Sequence, residues 1–148
     1  MTNTKGQTQF IRAVCAALMS IVTPAFSAQP IAVVVSAQSP VGPMTAEQLS
    51  QVFTSKATSL PGGSSAILID QVDGSPLRDE FYNKLAGKNP SQMKALWARL
   101  AFSGSAQPPK VAGGDTDVKK AVAATPGAIG YIDKSAVDGS VKVLLIVE

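Results

Sequence analysis

Residues 66–76, which read AILIDQVDGSP, carry three structural signals in succession. The apolar run at the start is typical of a short buried strand. Asp73-Gly74 then marks a turn, and Ser75-Pro76 predicts a helix start, with serine as the N-cap and proline at the first helical position. A buried strand that leads directly into a helix is the repeating unit of α/β folds, so the sequence indicates that class.

The helices before and after this stretch are predicted from similar signals. Thr45 with Gln48, and Asn89 with Gln92, have the spacing of capping boxes. Gly87 is expected to end the second helix in a left-handed conformation. Apolar residues follow each start at helical spacing, which predicts one buried face per helix. These positions are Leu49, Val52 and Phe53, then Leu77, Phe81 and Leu85, and finally Met93, Leu96, Trp97 and Leu100.

Three further apolar runs predict strands over Ile31–Val35, Ala128–Ile132 and Val141–Val147. A fourth helix between them is expected to be capped by Asp115 or Thr116. Uninterrupted apolar strands between amphipathic helices indicate a sheet that is covered on both faces. The sequence therefore predicts an α/β fold with a mixed sheet of about four to five strands and helices on both faces.

Residues 1–27 have the features of a secretory signal peptide. Two basic residues and no acidic ones come with an apolar run, residues 13–22, that is too short to span a bilayer. Small residues favour a cut after Ser27 or after Ala28; a retained anchor helix is the alternative. We therefore predict one domain over residues 28–148, exported across the inner membrane to the periplasm, with no integral membrane segment.

The composition of the predicted mature chain excludes the common catalytic classes. The sequence has no histidine, and its one cysteine, Cys15, lies in the predicted signal. Serine or cysteine nucleophiles paired with histidine are thereby excluded, as are zinc sites built from histidine and cysteine. Asp115 to Asp117 lack the rest of a calcium-loop pattern, so helix capping is favoured there. We predict no enzyme activity, no metal and no other cofactor.

The charge balance also argues against nucleic acid as a partner. Without the predicted signal, 11 basic residues stand against 10 acidic ones. Lys119-Lys120 is an isolated basic pair, which a solvated helix face explains. A dense basic patch of the kind that binds nucleic acid or anionic lipid is therefore absent from the sequence pattern.

Four motifs, in order along the chain, resemble those of the phosphate-binding proteins of bacterial ABC transporters. They are LSQVFTSK at 49–56, Asp73-Gly74-Ser75 followed by Arg78 and Phe81, the stretch from Trp97 to Pro108-Pro109, and PGAIGY at 126–131. The resemblance implies a single lobe of a type II periplasmic-binding-protein-like fold. The family's binding proteins have two lobes, so the first lobe, with its share of anion ligands, is expected to be missing.

The resemblance also implies a phosphate or oxyanion site at the helix N-terminus, formed by Gly74, Ser75 and Arg78. A helix N-terminus offers backbone N–H donors and partial positive charge, and an arginine offers a bidentate fork. Ordinary helix capping by Ser75 is the alternative. The family pattern is also altered here, because Gln71 stands at the position of the family's phosphate-gripping arginine.

Further departures leave two function classes open. Pro76 lacks a backbone N–H, and Leu77 replaces a hydroxyl residue of the family pattern. The first class is a solute-binding lobe that holds phosphate or a similar oxyanion weakly. The second is a structural or protein-interaction module that kept the fold and lost the ligand. In either class, a protein partner or self-association is expected to complete the missing lobe, with a contact surface around Asp73–Arg78.

Overall fold

The computed structural model describes residues 28–148. The predicted signal peptide, the anchor-helix alternative and Cys15 lie outside this part of the chain, and the cut after Ser27 or Ala28 falls at its edge. The elements in chain order are β1 (Ile31–Ser36), α1 (Ala46–Phe53), β2 (Ile67–Gln71), α2 (Pro76–Ala86), α3 (Pro90–Phe102), β3 (Lys110–Ala112), α4 (Asp115–Ala124), β4 (Ala128–Asp133), a short 3-10 turn (Lys134–Ala136) and β5 (Val141–Val147).

The strands form one mixed sheet in the order β3-β2-β4-β1-β5. β2 runs parallel to both β3 and β4, and β1 runs antiparallel to β4 and β5. The side chains of β1 alternate between two hydrophobic clusters. Val33 belongs to the cluster under α1, α2 and α3, and Val34 belongs to the cluster under α4. The predicted α/β class, with a mixed sheet covered on both faces, is confirmed.

The larger of the two clusters is centred on four aromatic rings. Phe81 of α2 stacks on Tyr131 of β4 with ring centroids 3.8 Å apart. Phe53 packs edge-on against Phe81 at 4.9 Å, and Tyr82 packs edge-on against both of them. Offset and edge-on ring contacts add to the stabilisation that burial itself provides. This cluster fixes α2 against the sheet and so positions the residues around its N-terminus.

The predicted ends of the first three helices are confirmed where they depend on capping residues within one or two turns. Thr45 and Asn89 make both hydrogen bonds of a capping box. Ser75 caps α2, with proline at the first helical position, and Gly87 ends that helix at φ 62°. Trp97, predicted to be a core residue, is 6% exposed.

The predicted cap of α4 was wrong. The N-cap is Gly114, which reaches the helix in extended backbone and has no side chain to donate or accept. Asp115 and Thr116 already lie in the first turn. The carboxylate of Asp115 accepts a hydrogen bond from Gln71 Nε2 at 2.8 Å, so it serves a contact with β2 and not a cap.

Strand β3, which follows Pro108-Pro109, was not predicted from the sequence. The strand has three residues and lies at the edge of the sheet, with Lys110 and Val111 exposed. Its existence depends on pairing with Ile69 to Gln71 of β2. Within residues 28–148, no helix combines the length and the apolar character that crossing a membrane requires.

Candidate functional site

The residues predicted to bind an anion lie where β2 ends and α2 begins. The chain turns between Gln71 and Pro76, and Gly74 takes a φ of 84°, a conformation that favours glycine. Gly74 is exposed, Ser75 is half-buried and Arg78 is buried. The structure therefore brings the three predicted residues together at one helix N-terminus.

Ser75 forms hydrogen bonds in two directions within the protein. Its hydroxyl oxygen accepts from the backbone N–H of Arg78 at 3.4 Å, which caps α2. Its hydroxyl group donates to Gln71 Oε1 at 3.0 Å. Gln71 is itself buried and donates to Asp115 of α4 and to the carbonyl of Tyr131. Gln71 thus ties the loop to β4 and α4.

Arg78 is held by two carboxylates. Its Nε donates to Asp70 Oδ2 at 3.1 Å, and its Nη1 donates to Asp73 Oδ1 at 3.0 Å. The guanidinium carbon also lies 5.4 Å from the centroid of the Tyr82 ring. Burial disfavours the charged guanidinium, but the charge of Asp70, its hydrogen bond and smaller contributions from Tyr82 and Tyr131 together raise the pKa of Arg78. Arg78 therefore remains a fixed positive charge.

Asp70 is the centre of this network, and the sequence analysis did not identify it as such. Its side chain is 5% exposed and accepts four hydrogen bonds. Two come from Arg78 Nε and from the backbone N–H of Gln71, at 3.1 and 2.9 Å. The other two come from the hydroxyl groups of Tyr82 and Tyr131. A carboxylate inside an otherwise apolar strand was the available signal, since such a group is buried only with partners.

The two tyrosines act here as hydrogen-bond donors. Burial raises the pKa of Tyr131 far above its usual value, and the charge of Asp70 raises it further. The same two causes, in the same order, raise the pKa of Tyr82 well above its usual value. Both hydroxyl groups consequently keep their protons at neutral pH and hold Asp70 in place.

A cavity of about 220 Å³ adjoins Arg78. It lies between the start of α2, the middle of α3 and strand β3. The residues that line it are Asp70, Gln71, Asp73, Arg78, Lys94, Trp97, Pro108, Pro109 and Val111. Within residues 28–148, no three histidine, cysteine, aspartate or glutamate side chains are grouped as a metal site would need.

Three solved structures share this fold over 78% of the chain. One, from Clostridium perfringens, contains bound phosphate and is assigned to a phosphate ABC transporter substrate-binding protein; it is 26% identical in sequence, with a TM-score of 0.64. The chain is a short structural relative of phosphate-type binding proteins. An ABC-type phosphate transport receptor from Vibrio cholerae is 22% identical with a TM-score of 0.63, and PstS from Borrelia burgdorferi is 15% identical with a TM-score of 0.59.

The chain spans less than half of each relative, namely 44%, 45% and 47% of their lengths. The resemblance inferred from the sequence motifs is confirmed, as is the partial binding-protein lobe that it implied. The two relatives below 25% identity show the fold alone. All three are binding or transport proteins and not enzymes. A scan with protein-family models found no match, and a search of curated proteins found none either.

Proposed function

We propose that this chain is a periplasmic solute-binding lobe that holds phosphate, or a similar oxyanion, weakly at the N-terminus of α2. Gly74, Ser75 and Arg78 are the proposed ligand-binding residues, and the lobe has no catalytic activity. The observation that carries the proposal is the juxtaposition of these three residues at one helix N-terminus, in a chain that shares its fold with a phosphate-bound relative.

The donors available to an anion are mainly backbone groups. Among the described residues, nothing accepts a hydrogen bond from the N–H of Gly74 or of Leu77. Both groups lie at the positive end of the α2 dipole, where an anion is stabilised. Gly74 has no side-chain atoms to hinder close approach of a ligand to its backbone.

The surrounding charges explain why binding is expected to be weak. Arg78 is the cation of the site, and its charge is already balanced by Asp70 and Asp73. Asp79 and Glu80 add two more carboxylates in the first turns of α2. An incoming oxyanion gains the backbone N–H groups and part of Arg78, but it also meets these negative charges. We expect a dissociation constant of about 1 mM or weaker, which corresponds to about 4 kcal/mol of binding free energy.

Titration of the purified protein with phosphate tests the proposal. Calorimetry and amide chemical-shift changes at Gly74 to Arg78 are expected to saturate together in the wild type. Ser75→Ala is expected to weaken binding, since it removes the hydroxyl group beside the ligand. The matched control is Thr45→Ala, which removes the capping hydroxyl of α1, far along the chain. Both variants lose about 1 kcal/mol of stability, but only Ser75→Ala is expected to lose phosphate affinity.

A second function is favoured by a different observation, namely the exposed apolar side chains of Phe102 and Val111, which are 97% and 67% exposed. A structural or protein-interaction module that lost ligand binding would use such residues to contact a partner or a second copy of the chain. Sedimentation of wild type and Phe102→Ser over a range of concentrations tests self-association. This alternative gains support if the wild type associates, Phe102→Ser does not, and phosphate produces neither heat nor shifts.

The periplasmic location is part of the same proposal. Expression of the full sequence in a Gram-negative host, followed by intact-mass measurement of the periplasmic fraction, tests it. A chain that begins at Ala28 or at Gln29 supports the predicted signal peptide. A full-length chain retained in the membrane fraction supports the anchor-helix alternative.

A further inference from the structure

We infer that a cavity at the start of β2 binds one residue of a short, extended peptide through its backbone. The cavity has a volume of about 340 Å³ and lies between the end of α1, the start of β2 and the stretch that leads into β3. It is at the end of β2 opposite to the turn that carries Gly74 and Ser75. The proposed phosphate-binding residues do not line it, so the inference does not rest on the proposed function.

β2 is paired along only part of one of its edges. Among the described residues, β3 pairs with β2 from Ile69 onward and with no earlier residue. At the other edge, Ile67 donates its backbone N–H to Gly127, directly before β4. Neighbouring residues of a strand direct their backbone groups to opposite edges. Ala66 and Leu68 therefore direct theirs away from β4, towards the stretch that β3 leaves uncovered.

Two backbone groups in this stretch have no hydrogen-bond partner. Within residues 28–148, nothing accepts from the N–H of Leu68 and nothing donates to the C=O of Ala66. Both residues line the cavity. On one side of them, the N–H of Ala66 donates to the C=O of Thr58. On the other side, the parallel ladder with β3 pairs the C=O of Leu68 with the N–H of Lys110. The open edge is therefore one residue long.

A proline explains why the chain itself leaves this edge open. If the ladder between β2 and β3 continued, the N–H of residue 108 would donate to Ala66 and its C=O would accept from Leu68. Pro108 has no N–H, and it lines the cavity without making this pair. The two free groups are complementary to one residue of an added peptide, as in other cases where an extended peptide pairs with a sheet edge.

The walls of the cavity suit a small apolar side chain. Val52 is buried there, and Ala57 and Ala106 are half-buried. The lining is uncharged except for the exposed Lys110, so the peptide needs no charge.

The size of the site selects a short peptide and not the strand of a partner protein. At about 340 Å³ the cavity lies at the lower end of the roughly 300–1,000 Å³ usual for small-molecule sites. Thr58 and Lys110 already occupy the edge on either side of it. A longer strand would have to displace both, whereas a capped amino acid or a dipeptide fits between them.

An NMR titration tests the inference, because the amide of Leu68 reports directly on the proposed hydrogen bond. The probe is N-acetyl-leucine methylamide, a neutral molecule with one complete residue. The matched control ligand has a methyl group on the leucine nitrogen, which removes the donor to Ala66. We expect saturable shifts of the Leu68 amide with a dissociation constant of about 1 mM. The control is expected to bind about 10-fold more weakly, since it loses one hydrogen bond.

Hydrogen exchange of the free protein tests the unpaired state of Leu68 separately. The amide of Ile67 is hydrogen-bonded to Gly127 in the same strand. Leu68 is therefore expected to exchange at least about 10-fold faster than Ile67. A saturating concentration of the probe is expected to slow the exchange of Leu68.

Two proline variants form a matched pair. Pro108→Ala supplies the N–H that the ladder lacks, so residue 108 competes with the peptide for β2, and binding of the probe is expected to weaken several-fold. Pro109→Ala adds an N–H that points away from β2 and is expected to leave binding unchanged. Pro108 is exposed and Pro109 half-buried, so both variants are expected to fold. Ser75→Ala is expected to bind the probe as the wild type does.

The inference is overturned if the Leu68 amide shows no saturation up to about 50 mM probe, a limit far weaker than useful binding. It is also overturned if the methylated control binds as well as the probe, if Leu68 exchanges as slowly as Ile67 in the free protein, or if the two proline variants bind equally. A protein that binds the probe but not phosphate overturns the proposed function and leaves this inference standing.

Discussion

Asp70 shows how a single buried charge can organise a site. A carboxylate that leaves water loses a large hydration energy, and it is retained only when opposite charge and hydrogen bonds replace that loss. Here Arg78 supplies the charge, and two tyrosines and a backbone N–H supply the remaining hydrogen bonds. Removing the charge of Asp70 alone leaves Arg78 buried beside a neutral group.

Asp70→Asn is therefore expected to lower the free energy of unfolding by about 3–5 kcal/mol, as for other buried pairs that lose one partner. Urea denaturation followed by circular dichroism measures the loss. The matched control is Asp73→Asn, which removes the other partner of Arg78. The side chain of Asp73 is 71% exposed, so its loss is expected to cost no more than about 1 kcal/mol. Equal effects of the two substitutions would contradict the central place of Asp70.

Tyr82 and Tyr131 are the two tyrosines of the sequence, so an alkaline titration of tyrosine reports on these two side chains alone. Burial first, and then the charge of Asp70, raise the pKa of Tyr131 and of Tyr82 in the folded protein. A raised pKa favours the protonated form of the folded state. The stability that the hydroxyl groups contribute is thus complete below pH of about 10, the pKa of an exposed tyrosine, and is lost as pH rises beyond it.

Absorbance of tyrosinate during an alkaline titration checks this directly. In concentrated guanidinium chloride, both tyrosines are expected to ionise near pH 10, their unperturbed value. In the native protein, ionisation is expected only at higher pH and together with the loss of the circular dichroism signal. Ionisation near pH 10 with the fold intact would show that the hydroxyl groups are not held as described.

At the scale of elements, the sequence predicted what short-range chemistry controls. The capping boxes at Thr45 and Asn89 and the left-handed end of α2 at Gly87 depend on residues within one or two turns, and all three are confirmed. Strand β3 depends on pairing with β2, some forty positions earlier, and its three residues carry no period of their own. The cap of α4 was wrong because Asp115 bonds to Gln71, which local sequence does not reveal.

In the candidate site, too, the residues of a local motif were predicted, and the features that depend on distant residues were not. Gly74, Ser75 and Arg78 were identified from a local motif, and the structure places them together. Asp70 was missed as the centre of the network, because one of its hydrogen-bond donors, Tyr131, lies 61 positions later in the chain. The cavity beside Arg78 was missed for a similar reason, since α2, α3 and β3 form it jointly.

Gly130 offers a test of how α4 packs on the sheet. This glycine of the PGAIGY motif lies within β4, where a glycine weakens a strand unless close packing requires it. A Cβ atom here would lie 2.7 Å from Cγ1 of Val118 and 3.3 Å from Cγ2 of Val122, both on α4. Gly130→Ala is therefore expected to destabilise the protein by about 1–3 kcal/mol through overpacking.

A double-mutant cycle shows whether Val118 is the cause. Val118→Ala removes the methyl group that the new Cβ would meet, so the double variant Gly130→Ala/Val118→Ala is expected to be more stable than the sum of the two single losses predicts. The coupling energy should exceed about 0.5 kcal/mol, the level at which residues in contact differ from independent ones. Additive losses in urea denaturation would mean that α4 does not press on Gly130 in this way.

At the scale of the whole molecule, the main feature is that the protein's own side chains hold the candidate site in place. Ser75 bonds to Gln71, and Arg78 bonds to Asp70 and Asp73, so the loop between β2 and α2 is held by the protein's own groups. An anion that binds there adds to a formed structure. Its effect on global stability is then set by mass action alone, without a folding transition of the loop.

This gives a last prediction, for phosphate-dependent stability. With a dissociation constant of about 1 mM, 100 mM phosphate is expected to raise the free energy of unfolding by about 2.7 kcal/mol through binding. Phosphate also stabilises proteins generally by exclusion from their surface, so the wild-type gain includes both effects.

Ser75→Ala keeps the general effect and loses part of the specific one, while Thr45→Ala keeps both. Unfolding in urea with and without phosphate is therefore expected to show equal gains for wild type and Thr45→Ala, and a smaller gain for Ser75→Ala. Equal gains in all three proteins would assign the whole stabilisation to the general salt effect and would remove phosphate from the N-terminus of α2.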